Sequence, residues 1–330
     1  MSISRILGLL SYARNGNSSR FWHGLHPFVC YDFSTLSDYY LDFSCRPRNR
    51  HCVLVDGVPH LAYSFATGVQ YNPCAVAQWG LGCWQVVQRS RIAGLNAGSD
   101  QFLSFCQDGI SKAVESLLSH FVYSSHECGF WYYSFDLPAY SQSAPWKSAI
   151  AQGQALSFLV RAIDYAQDRS FCESVIHSSF KGLVTPVGQG GLMSCRKRLA
   201  FFEEILSSPQ STILDGAIYS LFGAIDYYYF LGVPPFAEPS ICLLVKSIAK
   251  SLRVFDLGFW SRADVMPRKM RMPSSPYYHH VHISQLKALY HLTRLPAFSE
   301  YARKWQNYDS SVYCRAKALL YKLIFKLAYY

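Results

Sequence analysis

Quick functional signatures are missing from this chain of 330 residues. Its 11 cysteines include no C-x-x-C pair, which argues against a zinc ribbon or a thioredoxin-type site. There is no G-x-S-x-G elbow, no Walker A loop and no G-x-G-x-x-G after a strand. The GQGG of Gly188–Gly191 lacks the lysine and helix context of a phosphate loop. Zinc-finger and helix-turn-helix patterns are absent, and no basic run is interleaved with aromatics, so nucleic acid is not an expected partner. The apolar patch Ile6–Leu10 is too short to cross a bilayer. Acidic residues are in deficit, 21 Asp and Glu against 31 Lys and Arg, and the net charge of +10 favours an anionic partner.

What is present is apolar and aromatic. Hydrophobic residues make up 50% and aromatics 16%, with 24 Tyr and 22 Phe, enough for a sizeable core. Such rings suit sugar stacking and equally suit helix packing. Scattered cysteines in apolar surroundings, Cys83 and Cys242 among them, read as buried free thiols in a reducing, cytoplasmic setting. Residues 1–50 read as an irregular arm, 51–308 as the main domain and 309–330 as a basic amphipathic helix. Asp56-Gly57 between β-branched runs predicts a hairpin. Asn72-Pro73 predicts a capped helix start, and apolar spacing predicts a helix over Asp100–Phe121. Phe130–Tyr140 reads as extended. Further helices are expected at about 147–166, 170–178, 212–230, 237–252, 282–293 and 297–307. In the last segment Arg315, Lys322 and Lys326 alternate with Leu319, Leu320, Leu323, Ile324 and Leu327. That helix suits docking on the core, or peripheral contact with the inner face of an anionic membrane. A homodimer is compatible with the sequence.

The densest chemical signal is PWKSAIAQGQALSFLVR at Pro145–Arg161. A glycine inside a helix costs about 1 kcal/mol relative to alanine, so Gly153 marks a close approach to the backbone. Three other stretches accompany it in order: YNPCAVAQWGLGCW at Tyr71–Trp84, FEEILSSPQSTILDGAIYSLFGAID at Phe202–Asp226, and YYHHVHISQL at Tyr277–Leu286. Together they resemble the C-terminal catalytic domain of the D-glucuronyl C5-epimerases, over roughly Gly57–Trp305. The resemblance implies a mainly α fold, an α/α barrel (toroid) that can be incomplete. It also implies inversion at C5 of a uronate within an acidic polysaccharide.

Inverting C5 means removing a hydrogen α to a carboxylate and returning a proton from the other side. The kit is two proton carriers and a cation or proton donors near the carboxylate; no metal or other cofactor is required. By the resemblance, Glu204 and Tyr278 match catalytic positions, while Ile205 and Ala263 stand where the family pattern has tyrosines. Asp215 replaces the asparagine of that pattern. Arg262 is a candidate for the substrate carboxylate, and His279 and His282 for hydrogen bonds to sugar or to carbonyls, rather than for a metal. Gln152 and Gln154 are expected to divide between cleft and scaffold. Trp146, Trp131 and Tyr71 can stack on sugar or pack internally. A non-catalytic glycan binder and a uronate lyase remain the rival readings.

Overall fold

The computed structural model describes residues 21–22, 26–49, 51–63, 65–94, 100–124, 127–196 and 198–329. The patch Ile6–Leu10 lies outside the described residues. Nine α-helices are described: α1 Pro73–Ile92, α2 Gln101–Ser119, α3 Ala149–Ala162, α4 Arg169–Val184, α5 Leu214–Phe230, α6 Pro239–Ser251, α7 Pro276–Thr293, α8 Pro296–Ser310 and α9 Val312–Tyr329. The fold is therefore mainly α. No described helix is long and apolar enough to cross a membrane.

Two kinds of helix alternate. From Pro73 to Gln85 and from Leu214 to Asp226 every residue is buried, and in α3 only Ile150 is not. Helices buried all round belong inside a large core. By contrast, α2 buries one stripe, Leu103, Cys106, Ile110, Ala113, Val114 and Leu117. The inner series α1, α3, α5 and α7 packs in sequence order, and each member also packs on the helix that follows it. Between α3 and α5 the approach is backbone to backbone. A side chain at Gly153 would meet Ser220, and one at Gly223 would meet Gly153 itself.

Capping explains the helix starts. Asn72 accepts from the Ala75 N–H at 2.9 Å, with Pro73 in first position. Asp100 caps α2 through the Phe102 N–H at 2.8 Å. The helix expected from residue 282 begins instead at Pro276, because Ser275 accepts from the Tyr278 N–H at 3.2 Å. The helix expected over 170–178 continues to Val184, since Val175, Ile176, Ser179 and Leu183 extend the same buried side.

Five small antiparallel sheets decorate the helices. The predicted hairpin is β1 Val53–Val55 and β2 Val58–Ala62, turning at Asp56 and Gly57 with positive φ at both; β3 Val69–Tyr71 completes its sheet. The others pair β4 Val122–Tyr123 with β5 Gly129–Phe130, β6 Tyr132–Tyr133 with β7 Trp146–Lys147, β8 Met193–Arg196 with β9 Leu199–Phe202, and β10 Thr212–Ile213 with β11 Asp264–Val265.

Residues 38–49 fill the space between α7 and α1. Tyr39, Tyr40, Leu41 and Phe43 are fully buried. Arg46 reaches from Gln78 of α1 (2.9 Å) to the Tyr277 hydroxyl of α7 (3.3 Å). A buried pair, Arg161–Asp226 at 2.6 Å, is completed by the Tyr40 hydroxyl donating to Asp226 at 2.8 Å. Helix α9 docks through Ala318 and Phe325, next to Phe259 and Trp260, and leaves Leu320, Ile324 and Leu327 exposed. All 11 cysteines are free thiols; Cys83 is buried and Cys242 half-buried.

Candidate active site

The inner helices begin near one another, and their first turns carry the chemistry. Strand β9 delivers Glu203 and Glu204. Strand β10 runs into α5, whose second residue is Asp215. Strand β11 pairs with β10 and places Asp264 opposite Ile213. Tyr277 and Tyr278 lie in the first turn of α7, and Cys74 in the first turn of α1.

Glu204 lies on the start of α5. Gly216 has no side chain, and any Cβ there would collide with the Glu204 carboxylate. Its main chain is anchored by Ser148, whose hydroxyl donates to the Glu204 carbonyl at 2.6 Å. Oε2 of Glu204 is buried and bonded to nothing among the described residues. Burial, and then the adjacent carboxyl groups of Asp215 and Asp264, hold this carboxyl well above the ordinary range. The Tyr278 phenol is also held well above its usual value, by burial and then by Asp215, Tyr277, Glu204 and Cys74. Tyr278 is nevertheless 37% exposed.

Asp215 and Asp264 have different partners. Asp264 is paired with Arg268 at 3.0 Å and accepts from the Tyr140 hydroxyl at 3.5 Å. Asp215 Oδ1 faces His282 Nε2 at 3.5 Å, and its backbone carbonyl accepts from Gln285 at 2.9 Å. Glu203 lies apart: Ser194 and Gln210 donate to its Oε1, its Oε2 is unpartnered among the described residues, and burial pushes it up to about 7.

Of the residues expected from sequence, Glu204, Asp215, His282 and Tyr278 come together. His279 is not among them. It is fully buried, stacked on Trp260 at 3.7 Å, accepts from the Ser261 N–H at 3.2 Å and bonds the Trp305 carbonyl at 3.0 Å. The division expected of the two glutamines is corrected, because both amides serve the scaffold. Gln152 donates to the Gly129 and Ser179 carbonyls (2.8 and 2.9 Å), and Gln154 to the Tyr39 hydroxyl (2.6 Å). Two main-chain carbonyls and the Tyr39 hydroxyl take those donors, and both glutamine side chains are fully buried. Trp146 stacks on Tyr133 at 4.0 Å and donates to the Phe135 carbonyl at 2.7 Å. Trp131 is fully buried and donates to the Leu117 carbonyl at 2.8 Å, so it packs internally. Tyr71 stacks on His120 at 4.0 Å. Arg262 lies beside Asp264, donating to the Met266 carbonyl at 3.3 Å, with its buried Nε unpartnered among the described residues.

Sequence reasoning missed Arg46, Cys74, Asp264 and Tyr277. Arg46 is 1% exposed and lies against the rings of Phe21, Trp22 and Phe43, with no carboxylate within ion-pair distance among the described residues. Its sequence context is a basic loop with Pro47, which carries no such signal. Asp264 could have been found from its place next to Ala263.

The sequence model of one family, described as D-glucuronyl C5-epimerase C-terminus, matches residues 125–307. An uncharacterised protein of Methanocaldococcus jannaschii is 26% identical over 185 residues, 54% of this chain and 57% of that protein. The D-glucuronyl C5-epimerase of Caenorhabditis elegans is 26% identical over 179 residues, 49% of this chain and 29% of the enzyme. The matched region spans less than two thirds of either relative.

Proposed function

The chain belongs to the D-glucuronyl C5-epimerase C-terminal family, and from that premise we propose that it inverts C5 of a uronate within an acidic polysaccharide. The observation that carries this reading is the Glu204 carboxylate at the start of α5, whose buried Oε2 has no partner among the described residues, with Asp215 beside it and Tyr278 nearby. In the forward step Glu204 takes the C5 proton, and the C–H electron pair passes into the sugar carboxyl group as an enolate. Tyr278 then delivers its phenolic proton to the opposite face of C5. A raised carboxyl pKa makes Glu204 the stronger base once ionised, and a raised phenol pKa keeps Tyr278 loaded with its proton.

The substrate carboxylate needs positive potential. The first turns of α1, α5 and α7 supply helix N-termini, and Arg46 and Arg262 are the buried guanidiniums nearest in the fold. The inner series α1, α3, α5 and α7, each backed by its successor, supports an incomplete α/α toroid with the substrate at its N-terminal end.

Ile205 and Ala263 favour a second reading, a glycan binder with altered or lost catalysis. Ile205 is 4% exposed and offers no proton. Incubation with heparosan-like and other uronate polymers in heavy water separates the alternatives. Deuterium uptake at C5 without chain cleavage is the expected result. New unsaturated, ultraviolet-absorbing ends identify a lyase, and binding with neither outcome identifies the binder.

A further inference from the structure

Four short contacts run in line from the core to Asp215. The Trp305 carbonyl meets His279 Nε2 at 3.0 Å, His279 Nδ1 meets Ser261 Oγ at 2.8 Å, Ser261 Oγ meets His282 Nδ1 at 2.9 Å, and His282 Nε2 meets Asp215 Oδ1 at 3.5 Å. The protons along this line can be placed by elimination. A carbonyl only accepts, so His279 carries its proton on Nε2. The Ser261 N–H donates to Nδ1 of the same ring at 3.2 Å, which agrees. Burial holds His279 down to about 3, so the ring has no second proton. Its bare Nδ1 must then receive the Ser261 hydroxyl proton, or two lone pairs would face each other at 2.8 Å. Ser274 Oγ, 2.7 Å from Ser261 Oγ, is a second acceptor for that proton while its own hydroxyl donates to the Ser261 carbonyl at 3.0 Å; on either acceptor the proton is not available to His282. With the Ser261 proton committed, His282 has to donate from Nδ1. In a neutral ring its Nε2 would then be a bare lone pair, fully buried, 3.5 Å from a carboxylate oxygen and without a hydrogen-bond partner among the described residues.

We infer that Asp215 and His282 hold one proton between them, as carboxylic acid with imidazole or carboxylate with imidazolium, so that the pair is electrically neutral. This deepens the epimerase reading and rests on it for its catalytic meaning. Three carboxylates meet at the site. Arg268 neutralises Asp264 and the shared proton neutralises Asp215, which leaves Glu204 as the carboxylate free to ionise. His282 is thus a positioning residue for charge, acting on Glu204 through Asp215. The other titratable and charged groups around the pair are Glu204, Asp264, Arg268, Tyr277, Tyr278, Tyr219, Cys74, Arg46 and His279.

Ring nitrogen-15 NMR of the labelled full-length protein tests the proton directly. His282 should show a protonated Nδ1, with the shared proton seen either on Nε2 or, by the carbon-13 shift, on the Asp215 carboxyl; a neutral ring with its proton on Nε2, or a bare Nε2 beside an ionised Asp215, would overturn the inference. In Asp215→Asn the side-chain amide can donate to Nε2, so Nδ1 should stay protonated and the ring neutral; a move of that proton to Nε2 refutes the assignment. For the catalytic meaning, His282→Asn should move the acidic limb of the C5-exchange profile upward by about one pH unit, because an uncompensated Asp215 opposes ionisation of Glu204. A limb that stays in place refutes the coupling, since loss of packing alone lowers the rate without moving it. Absence of exchange in the wild-type protein would sink the epimerase reading and not the shared proton, which the ring and carboxyl signals decide together.

Discussion

Replacing Gly153 with alanine puts the α3–α5 contact under load. The new methyl would stand 2.9 Å from the Tyr219 carbonyl oxygen and 3.1 Å from the Ser220 nitrogen, and nearer still to Ser220 Cα. All three are backbone atoms, so no rotamer change relieves the clash. The helices must separate by about 1 Å to restore ordinary contact. Alanine gains about 1 kcal/mol of helix propensity over glycine, and overpacking a close-packed core costs about 1–3 kcal/mol, at times more. The facing glycine makes the upper end the better figure, since Gly223 lies against Gly153 itself and has no side chain to yield. A net loss of about 1–2 kcal/mol is expected. It should appear as a lower urea midpoint with an unchanged slope. Separation also displaces Asp215 and Gly216, on which Glu204 rests, so C5 exchange should fall by more than the unfolded fraction accounts for. Equal or greater stability in Gly153→Ala would refute the argument, because propensity alone would then govern the site.

Tyr278→Phe and Glu204→Gln should each abolish C5 exchange while leaving the circular dichroism of the fold unchanged; full exchange in both would remove these residues from the chemistry. Glu203 makes stability fall with rising pH. Its folded value of about 7 exceeds the ordinary 4.5, so the native state binds the extra proton, and stability is lost between those two values. The loss approaches roughly 3 kcal/mol above pH 7. Glu203→Gln should flatten that part of the Tm–pH curve, and an unchanged slope would refute the assignment. Asp226→Asn strands the Arg161 guanidinium in the core and should cost about 3–5 kcal/mol, whereas replacing both partners with apolar residues should cost much less. Urea unfolding of the two variants compares them.

Local rules read most of the secondary structure correctly, because caps and apolar stripes are local. Asn72-Pro73, Asp100 and Asp56-Gly57 each act within a few residues of themselves. The start of α7 was missed because the histidines and tyrosines of YYHH hide an apolar pattern. The Ser275-Pro276 cap was the better guide. At the site, motif order brought Glu204, Asp215, His282 and Tyr278 onto one list, and the fold brings them to one place. The same motifs also named His279, Gln152 and Gln154, whose polar atoms hold loops to helices. A hydrogen bond to a distant backbone carbonyl leaves no trace in sequence, so a buried amide and a ligand-binding amide read alike. Arg46 was invisible for a related reason: its neighbours Gln78 and Tyr277 are 32 and 231 residues away along the chain.

Homology and folding draw their boundaries differently here. The family match begins at residue 125, yet the interior of that region is sealed by pieces that precede it. Gln154 donates to Tyr39, Arg161 accepts from Trp84 through its carbonyl, and Asp226 accepts from Tyr40. An excised 125–307 fragment would present a water-exposed guanidinium–carboxylate pair and the bare flanks of α3 and α5. Such a fragment should aggregate or stay molten, whereas expression from before Tyr31 keeps the plug in place.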